Sequence, residues 1–171
     1  RVGCMSCYKF SYPKMNFLES NHEKWMKQAF KQAEKAYEQD EVPIGSVVIY
    51  NNQIIGKGYN QSKFLNDPTA HAEIIAITSA SNNLRNWRLD DCILYVTKEP
   101  CPMCAGALIN SRMKMVVFGM YDDQEGCCGS RYQLCRDPRF KHQLSIRGGI
   151  MEEPCKIILQ DFFKNKRINK Y

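Results

Sequence analysis

Glu99-Pro100-Cys101-Pro102-Met103-Cys104-Ala105-Gly106 is the stretch on which the reading of the fold turns. Two cysteines three residues apart lie on one face of a helix, so both sulfurs can aim at a single point if the helix starts near Pro102. Proline suits that first turn because it lacks the N–H that would go unpaired there. The positive end of the helix also lowers the cost of holding the sulfurs as thiolates, the form that binds metal. Upstream, Pro68-Thr69-Ala70-His71-Ala72-Glu73 has a similar build, with Pro68 placing His71 in the opening turn of a helix that runs through Ile74, Ile75 and Ile77. One imidazole and two sulfurs supply three ligands for zinc and leave a fourth tetrahedral position for water, the pattern of a catalytic rather than a structural site. Glu73 does not share the direction of His71, yet from the same turn it can reach that water and move protons. A Cys-x-x-Cys pair alone also marks redox sites and halves of closed zinc knuckles; a closed knuckle needs a fourth ligand and gives Glu73 no task.

Outward from these motifs, strands and helices alternate. Trp25, Met26, Ala29, Phe30, Ala33 and Tyr37 recur at helical spacing after Ser20-Asn21-His22-Glu23, which reads as a capping box with His22 as a surface residue at the exposed start. The runs 46–50 and 53–55 flank Asn51-Asn52 as a hairpin. Strands at 92–97 and 116–118 bracket the Cys101 helix, which extends to Ser111. A Gly-rich loop over 122–130 leads to a short helix through Tyr132 and Leu134, then a strand at 144–146. After Gly148-Gly149 comes a last helix with Cys155, Ile158, Leu159, Phe162 and Phe163 as its apolar side. This order predicts an α/β fold in which a parallel portion, with helices on its faces, joins an antiparallel hairpin. Ligand sites in such sheets lie beyond the C-terminal ends of the strands, and both motifs fall there.

A chain of 171 residues, 44% hydrophobic and 25% charged, has the size and composition of one globular domain with a substantial core. No apolar run approaches the roughly 20 residues needed to span a bilayer, and residues 1–14 lack the apolar block of a secretory signal, so no membrane association is expected. Nine cysteines, with two aimed at a metal and two adjacent as Cys127-Cys128, argue against a disulfide framework and for a cytoplasmic setting; Cys127 and Cys128 read as structural thiols. A net charge of +6 permits attraction to phosphates, but excess lysine on a solvated surface gives the same value. Residues 1–14, with Cys4 and Cys7 as unpaired thiols, form an N-terminal extension to a domain over 15–171, and Met15 is a candidate natural start.

His-x-Glu followed by Pro-Cys-x-x-Cys is the signature of zinc deaminases. Together with Val42-Pro43-Ile44-Gly45, Gly58-Tyr59-Asn60, Asn86-Trp87-Arg88-Leu89, Leu94-Tyr95-Val96-Thr97, Val116-Val117-Phe118-Gly119, Gly126-Cys127-Cys128-Gly129-Ser130 and Phe162-Phe163-Lys164, it makes residues 20–167 resemble the cytidine deaminase superfamily. The closest likeness within it is to the tRNA-specific adenosine deaminases of bacterial type. That resemblance implies a three-layer α/β/α fold with a mixed five-stranded sheet, zinc on His71, Cys101 and Cys104, and Glu73 as the catalytic proton shuttle. The implied reaction is attack of water on C6 of the wobble adenosine in a tRNA anticodon stem-loop, giving inosine and ammonia. A base inside a duplex is out of reach, so a splayed loop is the expected substrate.

The resemblance further implies that Asn60 hydrogen-bonds the target nucleoside, that Ile44 forms part of the apolar wall of the base pocket, and that Asp122 meets the sugar of a neighbouring nucleotide. Ala70 and Phe163 are implied as further substrate contacts. By the residues alone, Asn60 fits a turn and Asp122 an exposed loop. The basic end of the last helix, 164–170, lies beside the substrate groove in that family, although cations at a helix C-terminus are favourable in themselves. A homodimer is also implied. Lys141-His142 and Arg131-Tyr132 depart from the family pattern. Two rivals stand beside this expectation: a free-base or nucleotide deaminase of the same fold, and a non-catalytic RNA-binding module stabilised by zinc, in which Glu73 would have no purpose.

Overall fold

The structure is a computed structural model that describes residues 17–168. Cys4, Cys7, Met15 and the 169–171 end of the basic tail lie outside the described residues. The chain forms α1 (Phe17–Glu38), the hairpin β1 (Gly45–Tyr50) and β2 (Gln53–Tyr59), the short α2 (Ser62–Leu65), α3 (Ala72–Leu84), β3 (Ile93–Lys98), α4 (Pro102–Asn110), β4 (Met115–Met120), β5 (Ser145–Arg147) and α5 (Glu152–Ile168). The five strands make one mixed sheet in the order β2-β1-β3-β4-β5. β1 runs antiparallel to β2 and β3, while β3, β4 and β5 are parallel. The hairpin turns on Asn51 and Asn52 at φ of 46° and 59°, the left-handed pair that a type I′ turn needs and asparagine tolerates.

Alternation along the strands divides the core between the two faces of the sheet. Val48, Leu94, Val96, Val116 and Phe118 point to the side covered by α3 and α4, where Ala76, Ala80, Ala105 and Leu108 complete one buried cluster. Val47, Ile49, Tyr95 and Val117 point the other way and meet Trp25, Met26 and Ala29 of α1. Small residues let the layers approach closely: a Cβ on Gly58 would stand 2.2 Å from the carbonyl oxygen of Ala72. The end of β2 is therefore pressed against the start of α3.

Four expectations change. α1 already begins at Phe17, so Ser20 lies inside the helix and not at its cap. His22 is not simply a surface residue; its Nδ1 lies 2.8 Å from the Tyr95 hydroxyl, and burial lowers its pKa, helped by the charge of Arg147. The helix expected through Tyr132 and Leu134 shrinks to a 3₁₀ turn over Leu134–Arg136. The N–H groups of Tyr132 and Leu134 instead donate back to the carbonyls of Gly126 and Cys127, folding the segment onto the preceding loop. On α5, Cys155 and Phe162 are buried while Phe163 is 42% exposed, because one step along a helix turns a side chain about 100° away from its neighbour. Among the described residues no helix is long and apolar enough to cross a membrane.

Candidate active site

His71 and Cys101 occupy equivalent places, each immediately ahead of a helix in an extended conformation (ψ 154° and 173°), and neither side chain caps its own helix. Cys104 follows in the first turn of α4 and is fully buried. His71 Nδ1 lies 3.6 Å from the sulfur of Cys101 and 3.6 Å from that of Cys104, and all three donor atoms fall within 4.8 Å of one another. A tetrahedral zinc with bonds of about 2.05 Å to nitrogen and about 2.3 Å to sulfur separates those atoms by about 3.6 Å, so the spacing fits that ion. Among the described residues no other trio of histidine, cysteine or acidic side chains converges in this way.

The electrostatics agree with a cation site. The Cys104 thiol donates to Cys101 and, with His71, holds the Cys101 thiol down to about 4, against burial. Cys104 is correspondingly driven upward, first by that same bond and then by burial and the nearby Glu73. Metal binding at such a cluster requires both sulfurs as thiolates and releases their protons. His71 is raised, chiefly by its contact with Cys101. Glu73, in the first turn of α3, is 4% exposed, and burial pushes its carboxyl up to about 6, only partly opposed by a bond from its own backbone N–H. A carboxyl poised there can both take and give a proton near neutral pH.

Backbone bonds gather the remaining candidates around this cluster. The Asn60 N–H donates to the carbonyl of Ile44 at 3.0 Å and the Gln61 N–H to that of Ala70 at 3.0 Å, which brings Ile44, Asn60 and Ala70 together at the head of α3. Asp122, beyond the end of β4, is not the exposed loop aspartate its sequence suggests. It is 9% exposed, lies 2.7 Å from the Lys98 ammonium and accepts from the Gln124 N–H. Phe163, exposed on α5, sets its ring edge-on to Phe162 at 5.4 Å.

Two buried glutamates escape sequence reasoning. Glu99, two residues before Cys101, accepts from the N–H groups of Asp122, Cys128 and Ser130 and from the Ser130 hydroxyl. Glu41 accepts from the Asn60 amide and from the N–H groups of Lys63 and Phe64. No periodicity announces either one; adjacency to Pro100-Cys101 and to Pro43-Ile44 was the sole available signal.

An imidazole and two sulfurs at two helix starts, on the C-terminal edge of a mixed sheet with a buried glutamate alongside, define the class of hydrolytic base deaminases. A family profile for MafB19-like deaminases matches residues 20–167, and the chain belongs to that family. The tRNA-specific adenosine deaminase of Bacillus subtilis (strain 168) is 45% identical over 148 residues, covering 86% of this chain and 92% of its own. A structure from a study of A-to-I editing by tRNA:A34 deaminases at the wobble position of transfer RNA matches with a TM-score of 0.77 and 37% identity, over 80% of this chain and 99% of its own. The guanine deaminase of Bacillus subtilis is 41% identical, but over 58% of this chain and 64% of its own, with a TM-score of 0.56.

Proposed function

We propose that this chain is a zinc-dependent tRNA adenosine deaminase that converts the wobble adenosine of an anticodon stem-loop to inosine. The observation that carries the reading is the 3.6 Å spacing of His71 Nδ1 from both sulfurs, with Glu73 buried beside it. His71, Cys101 and Cys104 hold the ion. When bound, zinc supplies a nucleophile at neutral pH by acidifying water. The Glu73 carboxylate takes one proton from the attacking water and passes it to the ring nitrogen of the adenine, then takes the remaining proton from the new C6 hydroxyl and delivers it to the departing amine, so that adenosine and water become inosine and ammonia. Asn60 hydrogen-bonds the nucleoside, Ile44 and Ala70 wall the base, and Asp122 and Phe163 meet flanking nucleotides.

Two copies form the enzyme. An exposed Trp87 borders a groove of mixed lining where α3 meets α4, with Ile74, Ile77 and Ala107 beside Thr78, Ser81, Asn110 and Ser111, which supports a self-association surface. The free thiols among the described residues support a cytoplasmic, reducing setting.

A free-base deaminase is the second reading, favoured by the identity to guanine deaminase. The tRNA deaminase likeness extends over more of both chains at the higher TM-score. Incubation with a transcribed arginine tRNA bearing an ACG anticodon, with guanine and with cytidine separates the readings. Inosine in the tRNA alone is expected; ammonia released only from guanine would overturn the proposal.

A further inference from the structure

Glu41 is 3% exposed and Asn60 6%, and the two meet behind the site. One carboxylate oxygen of Glu41 accepts from Asn60 Nδ2 at 3.1 Å and from the Lys63 N–H at 3.3 Å, while the other accepts from the Phe64 N–H at 2.6 Å. On its far side, Asn60 Oδ1 accepts from the Ser62 hydroxyl at 3.2 Å. A side-chain amide turns over readily when its neighbours can both donate and accept. A carboxylate only accepts, so the group facing Glu41 must be the NH₂, and a flip would set Oδ1 against a carboxylate oxygen at hydrogen-bond distance. Ser62 cannot impose this sense, because a hydroxyl donates or accepts as required. The flanking Asp40 ion-pairs with Lys63 and with Lys166 of α5, which stakes the same short helix from outside.

We propose that Glu41 is a positioning residue for the deamination: it fixes the sense of the Asn60 amide, so that Oδ1 and the second N–H meet the target nucleoside in one arrangement only. The inference rests on Asn60 being a contact to that nucleoside. It makes Glu41 a specificity element that never touches substrate, since the pattern of donor and acceptor offered to the base is set one residue further back.

A double-mutant cycle on the zinc-loaded enzyme with the arginine tRNA tests it. Glu41→Gln leaves one acceptor oxygen for three donors; with that oxygen on the Phe64 N–H, the shortest of the three bonds, an NH₂ faces both the Lys63 N–H and Asn60, whose amide then reverses, and kcat/KM falls about 10- to 100-fold, the worth of one misdirected hydrogen bond. Asn60→Asp alone sets two carboxylates against each other and also loses activity. In the double variant the introduced amide donates to the introduced carboxylate, an oxygen again faces the nucleoside, and activity exceeds that of either single variant, by about fivefold or more for a coupled pair.

Zinc content and melting temperature are followed in all four proteins. Ser62→Ala, a change at a half-buried position that leaves Glu41 in place, costs less than about threefold, within the effect of one weak hydrogen bond. A double variant no better than the product of the singles, or a Ser62→Ala as damaging as Glu41→Gln, overturns the role of Glu41. Full activity in Asn60→Ala would instead overturn the reading of Asn60 beneath it.

Discussion

Glu99→Gln probes the loop that closes the other side of the site. Glu99 is 2% exposed, and one of its oxygens accepts from the N–H groups of Cys128 at 2.9 Å and Ser130 at 3.1 Å. The other accepts from the Asp122 N–H at 3.0 Å and from the Ser130 hydroxyl. The loop is folded tightly onto this carboxylate: a Cβ on Gly126 would lie 2.4 Å from Oε2. A glutamine of the same shape keeps one oxygen and turns an NH₂ toward the rest. Its least costly orientation places the NH₂ by Ser130 Oγ, which can reverse and accept, and leaves the Asp122 N–H facing a donor. One stranded buried N–H costs about 1–3 kcal/mol, and three surviving bonds each lose the roughly 1 kcal/mol that a charged acceptor adds. The total is about 4–6 kcal/mol, a large share of the roughly 5–15 kcal/mol that holds a typical domain. Equilibrium urea unfolding, followed by tryptophan fluorescence in protein of matched zinc content, should show the midpoint fall by about 2–3 M if the slope is about 2 kcal/mol/M. A shift below about 0.5 M at unchanged slope would mean that residues 122–130 are held by something other than Glu99.

Glu73→Gln should keep full zinc and an unchanged melting temperature while turnover on tRNA drops by about 10²–10⁴, the usual worth of a positioned proton carrier; retained turnover would remove Glu73 from the reaction. Cys104→Ala leaves an imidazole and one sulfur, so metal analysis after gel filtration should find the protein nearly free of zinc. Added zinc at a thousandfold excess over its Kd should stabilise the parent by about 4 kcal/mol and this variant not at all. For Asp122, burial opposes ionisation, but the Lys98 ammonium and the Gln124 N–H outweigh it and hold the carboxyl below its ordinary range. A depressed folded pKa stabilises above the unfolded value and fades as pH falls through the folded one. Asp122→Asn should therefore be less stable than the parent at neutral pH, and the gap, read as a difference in urea midpoint at equal zinc content, should close in acid below about pH 4; a gap that stays constant with pH would refute the ion pair.

The sheet and the metal cluster were legible because short-range rules govern them. Apolar runs at 46–50 and 92–97, an Asn-Asn turn, and prolines at or near the starts of two helices each act within a few residues, and the structure meets them with β1, β3 and α4. Errors arose where distant partners decide. Tyr132 and Leu134 have a helical look, yet their N–H groups are taken by Gly126 and Cys127; Phe163 is as apolar as Phe162, yet Phe162 alone meets Tyr37 across from α1. His22 reads as exposed until β3 brings the Tyr95 hydroxyl to it across 73 residues.

The buried carboxylates were the least legible and the most informative. Asp40-Glu41 reads as one acidic pair at a helix end, but the two residues part company: Asp40 stays on the surface with Lys63 and Lys166, while Glu41 turns inward to three donors. Lys98-Glu99 divides in the same way, with the lysine reaching Asp122 and the glutamate collecting the loop that follows. In both cases the carboxylate satisfies N–H groups of a segment that has no regular partner of its own, which is the condition for an irregular loop to be buried at all. The helix starts therefore fix His71, Cys101 and Cys104, and the two glutamates fix the irregular rims on either side. On the proposed reading, chemistry at the cluster and choice of substrate at the rims rest on separable sets of side chains. Variants of Glu41 should disturb which nucleoside is accepted and leave the metal in place, whereas variants of Cys104 should lose the metal and with it all turnover.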